Sequence, residues 1–118
     1  MNMKAIAEGL KALSEEIRLR LLLLLHSQGE LCVCDLIGAL NLPQSTISRH
    51  LAYLKNSGWV EGTRRGVWMH YRLTPGLSPL MREILGALAR ETASRAEARR
   101  DADNLALYRQ NKQSDEEC

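Results

Sequence analysis

Residues 31–54 read LCVCDLIGALNLPQSTISRHLAYL. Asn41, Leu42 and Pro43 cut it in two. The first half, Leu31 to Leu40, reads as a short helix with Leu31, Leu36 and Leu40 as its core contacts. In the second half Pro43 sits at or just before a first helical turn. Ile47, Leu51 and Leu54 then recur at i, i+4 and i+7, up to a stop at Gly58. Two helices joined by about three or four residues, the second with a polar and basic outer face, match a helix-turn-helix.

Upstream, Ile6, Leu10 and Leu13 mark one stripe of a first helix over Lys4 to Leu13. Ser14 is a suitable N-cap for a second helix, with Glu15 and Glu16 at the positive end of its dipole. That helix carries Ile17, Leu19 and the run Leu21 to Leu25, apolar almost all round, so it belongs at the buried centre and stops at Gly29. Downstream, Trp59-Val60 and Val67 to Leu73 have strand composition, and Thr63-Arg64-Arg65-Gly66 between them supplies a turn. A β-hairpin with a basic tip is expected. A last helix from about Leu77 has Leu80, Ile84, Leu85 and Leu88 as its stripe, and beyond Arg90 the apolar content collapses.

The expected architecture is mainly α with a β-hairpin (α+β), a winged helix-turn-helix. Residues 1–95 are assigned to a DNA-binding and dimerisation domain, and residues 96–118 to an exposed helical extension and flexible tail. The length of 118 residues suits one domain, and 45% apolar with 25% charged residues exclude a disordered or fibrous chain. The run Leu21 to Leu25 falls far short of the roughly 20 residues a membrane-spanning helix needs, and no signal-peptide pattern is present. A cytoplasmic protein without membrane contact is therefore expected, with its three cysteines reduced.

A net charge of +2 does not by itself point to nucleic acid, but its distribution does. Between Gln44 and Pro75, Arg49, Lys55, Arg64, Arg65 and Arg72 stand against Glu61 alone, a local +4. Gln44, Ser45, Thr46, Ser48, Arg49 and His50 crowd the first two turns of the fourth helix with groups that donate to phosphates or to base edges. Arg64 and Arg65 at the hairpin tip extend that surface to the neighbouring backbone or minor groove. A merely solvated polar face explains each feature singly; their order, spacing and charge together favour double-stranded DNA as partner.

Cys32 and Cys34 form the second candidate site. Thiolates favour soft, polarisable ions. At about 100° per residue, side chains at i and i+2 of a regular helix point about 200° apart, so one ion cannot be gripped by both without distorting the turn. Ligand binding and DNA binding are then linked. The plain alternative makes both cysteines small buried hydrophobes. His26 suits the C-terminal end of the second helix dipole, and His70 suits hairpin packing or a phosphate contact.

Three segments, Leu31-Cys32-Val33-Cys34-Asp35-Leu36, Gln44 to Leu51, and Gly66 to Leu73, resemble the ArsR family of metal-sensing repressors over about residues 4 to 90. The likeness is strongest to the arsenical-resistance repressors. It implies a homodimer that represses an operon of detoxification genes and releases its operator when trivalent arsenic or antimony binds the thiolates. No cofactor is implied beyond that inducer. Such sensors usually carry a third cysteine three positions after the pair, where this chain has Ile37. Three readings stay open: two thiolates suffice, Cys118 completes the site, or the inducer is a methylated trivalent arsenical. The first is favoured.

The stripes Ile6, Leu10, Leu13 and Leu80, Ile84, Leu88 exceed what the middle helices can cover, so they are assigned to the dimer interface. The alternative function is a winged-helix repressor with Cys32 and Cys34 as a redox switch, although a disulfide between i and i+2 is strained. No nucleophile, base and orienting group are apparent, so an enzyme is not expected.

Overall fold

The computed structural model describes residues 1–112. In chain order they form α1 (Met3–Ala12), α2 (Glu16–Gln28), β1 (Leu31–Cys32), α3 (Val33–Leu40), α4 (Gln44–Asn56), β2 (Val60–Arg65), β3 (Trp68–Leu73), α5 (Pro79–Thr92) and α6 (Ala96–Asn111). Burial of α2 organises the rest: Leu21, Leu22, Leu24 and Leu25 are all buried, as the all-round apolar run requires. Its N-cap is Glu15, whose carboxylate accepts from the Arg18 N–H at 3.0 Å. Ser14, the expected cap, instead donates its hydroxyl to the Lys11 carbonyl at 2.7 Å and finishes α1.

The helix-turn-helix is α3, a three-residue turn and α4. Asn41 takes the left-handed conformation (φ 55°) and donates its N–H to the Ile37 carbonyl at 2.8 Å, which closes α3. Pro43 is the N-cap of α4, and its carbonyl accepts from Thr46 and Ile47. The stripe Ile47, Leu51 and Leu54 is completely buried, as its spacing predicts.

The sheet is larger than the expected hairpin. Three antiparallel strands lie in the order β1-β3-β2. Leu31 pairs with Tyr71 and Cys32 with His70, so the two residues read from sequence as the start of a helix form an edge strand instead. The β2-β3 pairing runs from Val60 opposite Leu73 to Arg65 opposite Trp68, and the turn falls at Gly66 (φ 64°) and Val67. Trp59, 1% exposed, leads into β2 and donates its indole N–H to the Gly9 carbonyl at 2.9 Å, tying α1 to the base of the wing.

Residues 96–111 are helical but do not stand free in solvent, which corrects the expectation of an exposed extension. The α6 helix lies along α3. Leu105 is buried, Asn104 Nδ2 donates to the Ala39 carbonyl at 3.1 Å, and Asp101 receives the Arg20 guanidinium through two bonds of 2.8 and 2.7 Å. Among the described residues, no helix is long and apolar enough to cross a membrane.

His50 shows how packing overrides composition. It is 9% exposed, with Nδ1 3.8 Å from the Glu15 carboxylate. Burial pushes its pKa below the ordinary 6.5, Glu15 opposes this, and Arg49 and Arg18 add to it. The unfolded chain therefore binds this proton more readily than the folded one. The stability contributed by neutral His50 is complete above about pH 6.5 and is lost as pH falls through the lower folded value. Thermal unfolding from about pH 7.5 to 5.5 tests this: His50→Gln is expected to flatten the acid-side fall in Tm, and a fall as steep as in the parent chain would contradict it.

Candidate functional site

Two surfaces meet at α3. The first is the outer face of α4. Gln44, Ser45, Ser48 and Arg49 are exposed and Thr46 is half-buried, so the N-terminal two turns of α4 present amides, hydroxyls and a guanidinium to solvent. His50 does not join them. With about 100° between successive residues, His50 falls about 40° from Leu54, on the flank of the buried stripe, while Ser45 and Arg49 point away from it. The sequence carried that signal, and the polar composition of the segment obscured it.

At the wing, Arg64 and Arg65 are both exposed, but they are not equivalent. Arg65 Nε and Nη2 donate to the two carboxylate oxygens of Glu30 at 3.0 and 3.1 Å, and this bond is the main reason Glu30 sits below the usual carboxylate pKa. His70 is 8% exposed, with Nδ1 4.0 Å from Glu30, so it belongs to the packing of the sheet. His26 is exposed in the last turn of α2, where a cation suits the dipole.

The second surface is internal. Cys32 and Cys34 are each 1% exposed; Cys32 is a free thiol but Cys34 is disulfide-bonded, which corrects the expectation of reduced cysteines. Cys32 ends β1 and is at once the N-cap of α3, in extended conformation (φ −67°, ψ 149°). This changes the expected geometry of the pair. The 200° divergence holds for two residues inside a helix, and Cys32 lies outside one. Its backbone N–H donates to Asp35 Oδ2 at 3.0 Å, which holds the junction between strand and helix. Ile37 is half-buried against the core. Cys118 lies outside the described residues.

Sequence reasoning missed the groups around this junction. Asp35, 1% exposed, receives Lys112 Nζ at 2.5 Å and lies 3.7 Å from Arg109 Nη2. An acidic residue at the third helical position signals a reciprocal cap, but nothing in the sequence indicates that α6 returns to meet it. The stripes assigned to an interface are partly open: Leu10 and Leu80 are 43% and 42% exposed, while Ile6, Leu13, Ile84 and Leu88 are half-buried.

Residues 15–61, from the cap of α2 to the start of the wing, match the model of the bacterial regulatory protein, arsR family. The arsenic resistance transcriptional regulator ArsR2 of Pseudomonas putida is 51% identical over 75 residues, covering 64% of this chain and 65% of that protein. The arsenical resistance operon repressor of Escherichia coli is 48% identical over 75 residues, covering 64% of each. The chain thus spans just under two thirds of the length of these relatives. Among solved structures, HlyU from Vibrio cholerae superposes with a TM-score of 0.69 at 30% identity, covering 80% of this chain and all of that one. Residues 15–61 hold the helix-turn-helix and both cysteines, and the chain belongs to the arsR family of bacterial regulatory proteins.

Proposed function

We propose that this protein is a transcriptional repressor that binds operator DNA as a homodimer and leaves it when trivalent arsenic or antimony bridges Cys32 and Cys34. The observation that carries this reading is the double membership of Cys32, which pairs with His70 of the wing strand β3 and caps α3 of the helix-turn-helix. A ligand that moves Cys32 disturbs both DNA-facing elements together. Gln44, Ser45, Thr46, Ser48 and Arg49 are assigned to the major groove, and Arg64 to the backbone beside the wing. The half-open α1 and α5 stripes are assigned to the two-fold contact, which sets two α4 helices about 34 Å apart on a palindromic site.

The chemistry requires the reduced pair, so the disulfide that holds Cys34 in the structure must first be reduced to its thiol. Arsenous acid exchanges two hydroxyl groups for two sulfurs: each thiol gives its proton to a departing hydroxyl, two waters leave, and arsenic stays trivalent. Two As–S bonds need no third cysteine, so Ile37 does not defeat the site. Support also comes from the similarity to arsenic-resistance regulators, 51% and 48% identical over 75 residues.

Fluorescence anisotropy on the DNA upstream of the protein's own gene tests the proposal. Arsenite or antimonite is expected to release the protein, with zinc and peroxide inert. Cys32→Ser with Cys34→Ser is expected to keep operator affinity and lose the response. Loss of operator binding by the ligand-free double variant would make the pair structural, and release by peroxide alone would make it a redox switch. Arg49→Ala is expected to weaken binding and to make the slope of log affinity against log salt shallower by about one. An unchanged slope with altered base preference would assign Arg49 to a base edge instead of a phosphate.

A further inference from the structure

The corner between α1 and α2 is tied to α4 by two polar contacts, and one of them ends on the outer face of that helix. Arg18, in the first turn of α2, makes it. Its Nε donates to the Ala12 carbonyl at 2.8 Å and its Nη2 to the Lys11 carbonyl at 3.4 Å, so the guanidinium finishes the last turn of α1, where carbonyls lack helical partners. Held by those bonds, its central carbon stands over the Tyr53 ring, 4.0 Å from the ring centre. The other contact is Glu15 with His50 at 3.8 Å. The two lie three residues apart on each element and fix the middle of α4 against the start of α2.

Tyr53 is not a core residue. It is 37% exposed, while Leu51 and Leu54 beside it are completely buried. At about 100° per residue it stands about 40° from Arg49 and about 20° from Thr46, on the face of α4 assigned to DNA and one turn beyond Arg49. Its hydroxyl has no hydrogen-bond partner among the described residues. A phenol hydroxyl is an uncharged donor that suits a phosphate oxygen. A ring with few rotatable bonds, already covered by a guanidinium, loses little freedom when the hydroxyl engages a ligand.

We propose that Tyr53 is a further DNA contact: its hydroxyl donates to a phosphate oxygen of the backbone bordering the groove that α4 enters, and Arg18 is the residue that positions its ring. This rests on the DNA-binding reading above, but not on the inducer. The contact fixes how α4 lies on the duplex and carries no base information of its own. Arg18 does not touch the DNA in this account. It acts through the ring, because its Nε and Nη2 are already bonded to the end of α1.

The test measures affinity by fluorescence anisotropy on two duplexes, the DNA upstream of the protein's own gene and a random sequence at low salt, and the Tm of each variant is taken alongside. Tyr53→Phe keeps the ring and its stack and is expected to weaken binding to both duplexes by about fivefold with Tm unchanged, since one phosphate hydrogen bond is lost. A phenol carries no charge, so the slope of log affinity against log salt is expected to stay at the parent value, unlike that of Arg49→Ala. Arg18→Lys keeps the charge and loses the planar stack, and is expected to weaken binding by a similar factor. Tyr53→Phe added to Arg18→Lys is then expected to cost less than about twofold, because the ring is no longer held. Parent affinity in Tyr53→Phe on both duplexes would overturn the contact, and so would a fall in its Tm, which would place the hydroxyl in the fold. An undiminished loss from Tyr53→Phe in the Arg18→Lys background would overturn the role of Arg18. A parent chain that binds neither duplex sinks the DNA reading and this contact together. One that binds both, loses affinity in Tyr53→Phe and ignores arsenite keeps the contact and loses the inducer.

Discussion

The hydrogen bond from the Cys32 backbone N–H to the Asp35 carboxylate is the constraint on which the functional parts of this molecule depend. It joins an edge strand of the wing sheet to the first turn of α3. Without it, one of the orphan donors at this helix start lacks its partner, and the strand has no defined hand-over to the helix. A short polar contact at a buried junction is a sensitive place to put a ligand site, because local chemistry there changes the relation between two rigid elements. The rest of the core is aliphatic and tightly buried around Leu21, Leu22, Ile47, Leu51 and Leu54, and it gives the junction something firm to act against.

The two surfaces assigned to DNA are built differently. On α4 the exposed donors stand on a helix whose opposite stripe is completely buried, so their orientation is fixed by packing. At the wing, Arg65 is held by Glu30, immediately before β1, and Arg64 is not so held in any contact seen among the described residues. Glu30, Leu31 and Cys32 are consecutive. The wing tip and the cysteine site are therefore connected along the chain as well as through the sheet, and the charge on Arg65 is partly neutralised before any phosphate is met.

Much of this was legible in the sequence because strong periodicity leaves few choices. The all-round apolar run of α2, the i, i+4, i+7 stripe of α4 and the Asn41-Leu42-Pro43 break each had one physical solution. The cysteine pair stood out because its residue type is chemically specific. What stayed hidden has physical reasons as well. A two-residue strand has no period, so Leu31 and Cys32 looked like the helix that follows them. In α6 the deeply buried positions are Asp101 and Leu105, one of them charged, and such a stripe is too thin to read as a packed face. The partnerships of Asp35 with Lys112 and of Arg20 with Asp101 cross 77 and 81 residues, and local pattern says nothing about separations of that length. The burial of His50 was available from helical geometry, but its neighbours Ser48 and Arg49 gave the segment the appearance of a uniformly exposed face.

Amide hydrogen exchange on the full chain, with and without arsenite, bears most directly on the claim that the ligand acts at this junction. Arsenite is expected to speed exchange at Cys32 to Asp35 and along the wing strand opposite, while the α2 core from Leu21 to Leu25 keeps its protection. Exchange that is unchanged at the junction, or that rises uniformly across the molecule, would contradict the account.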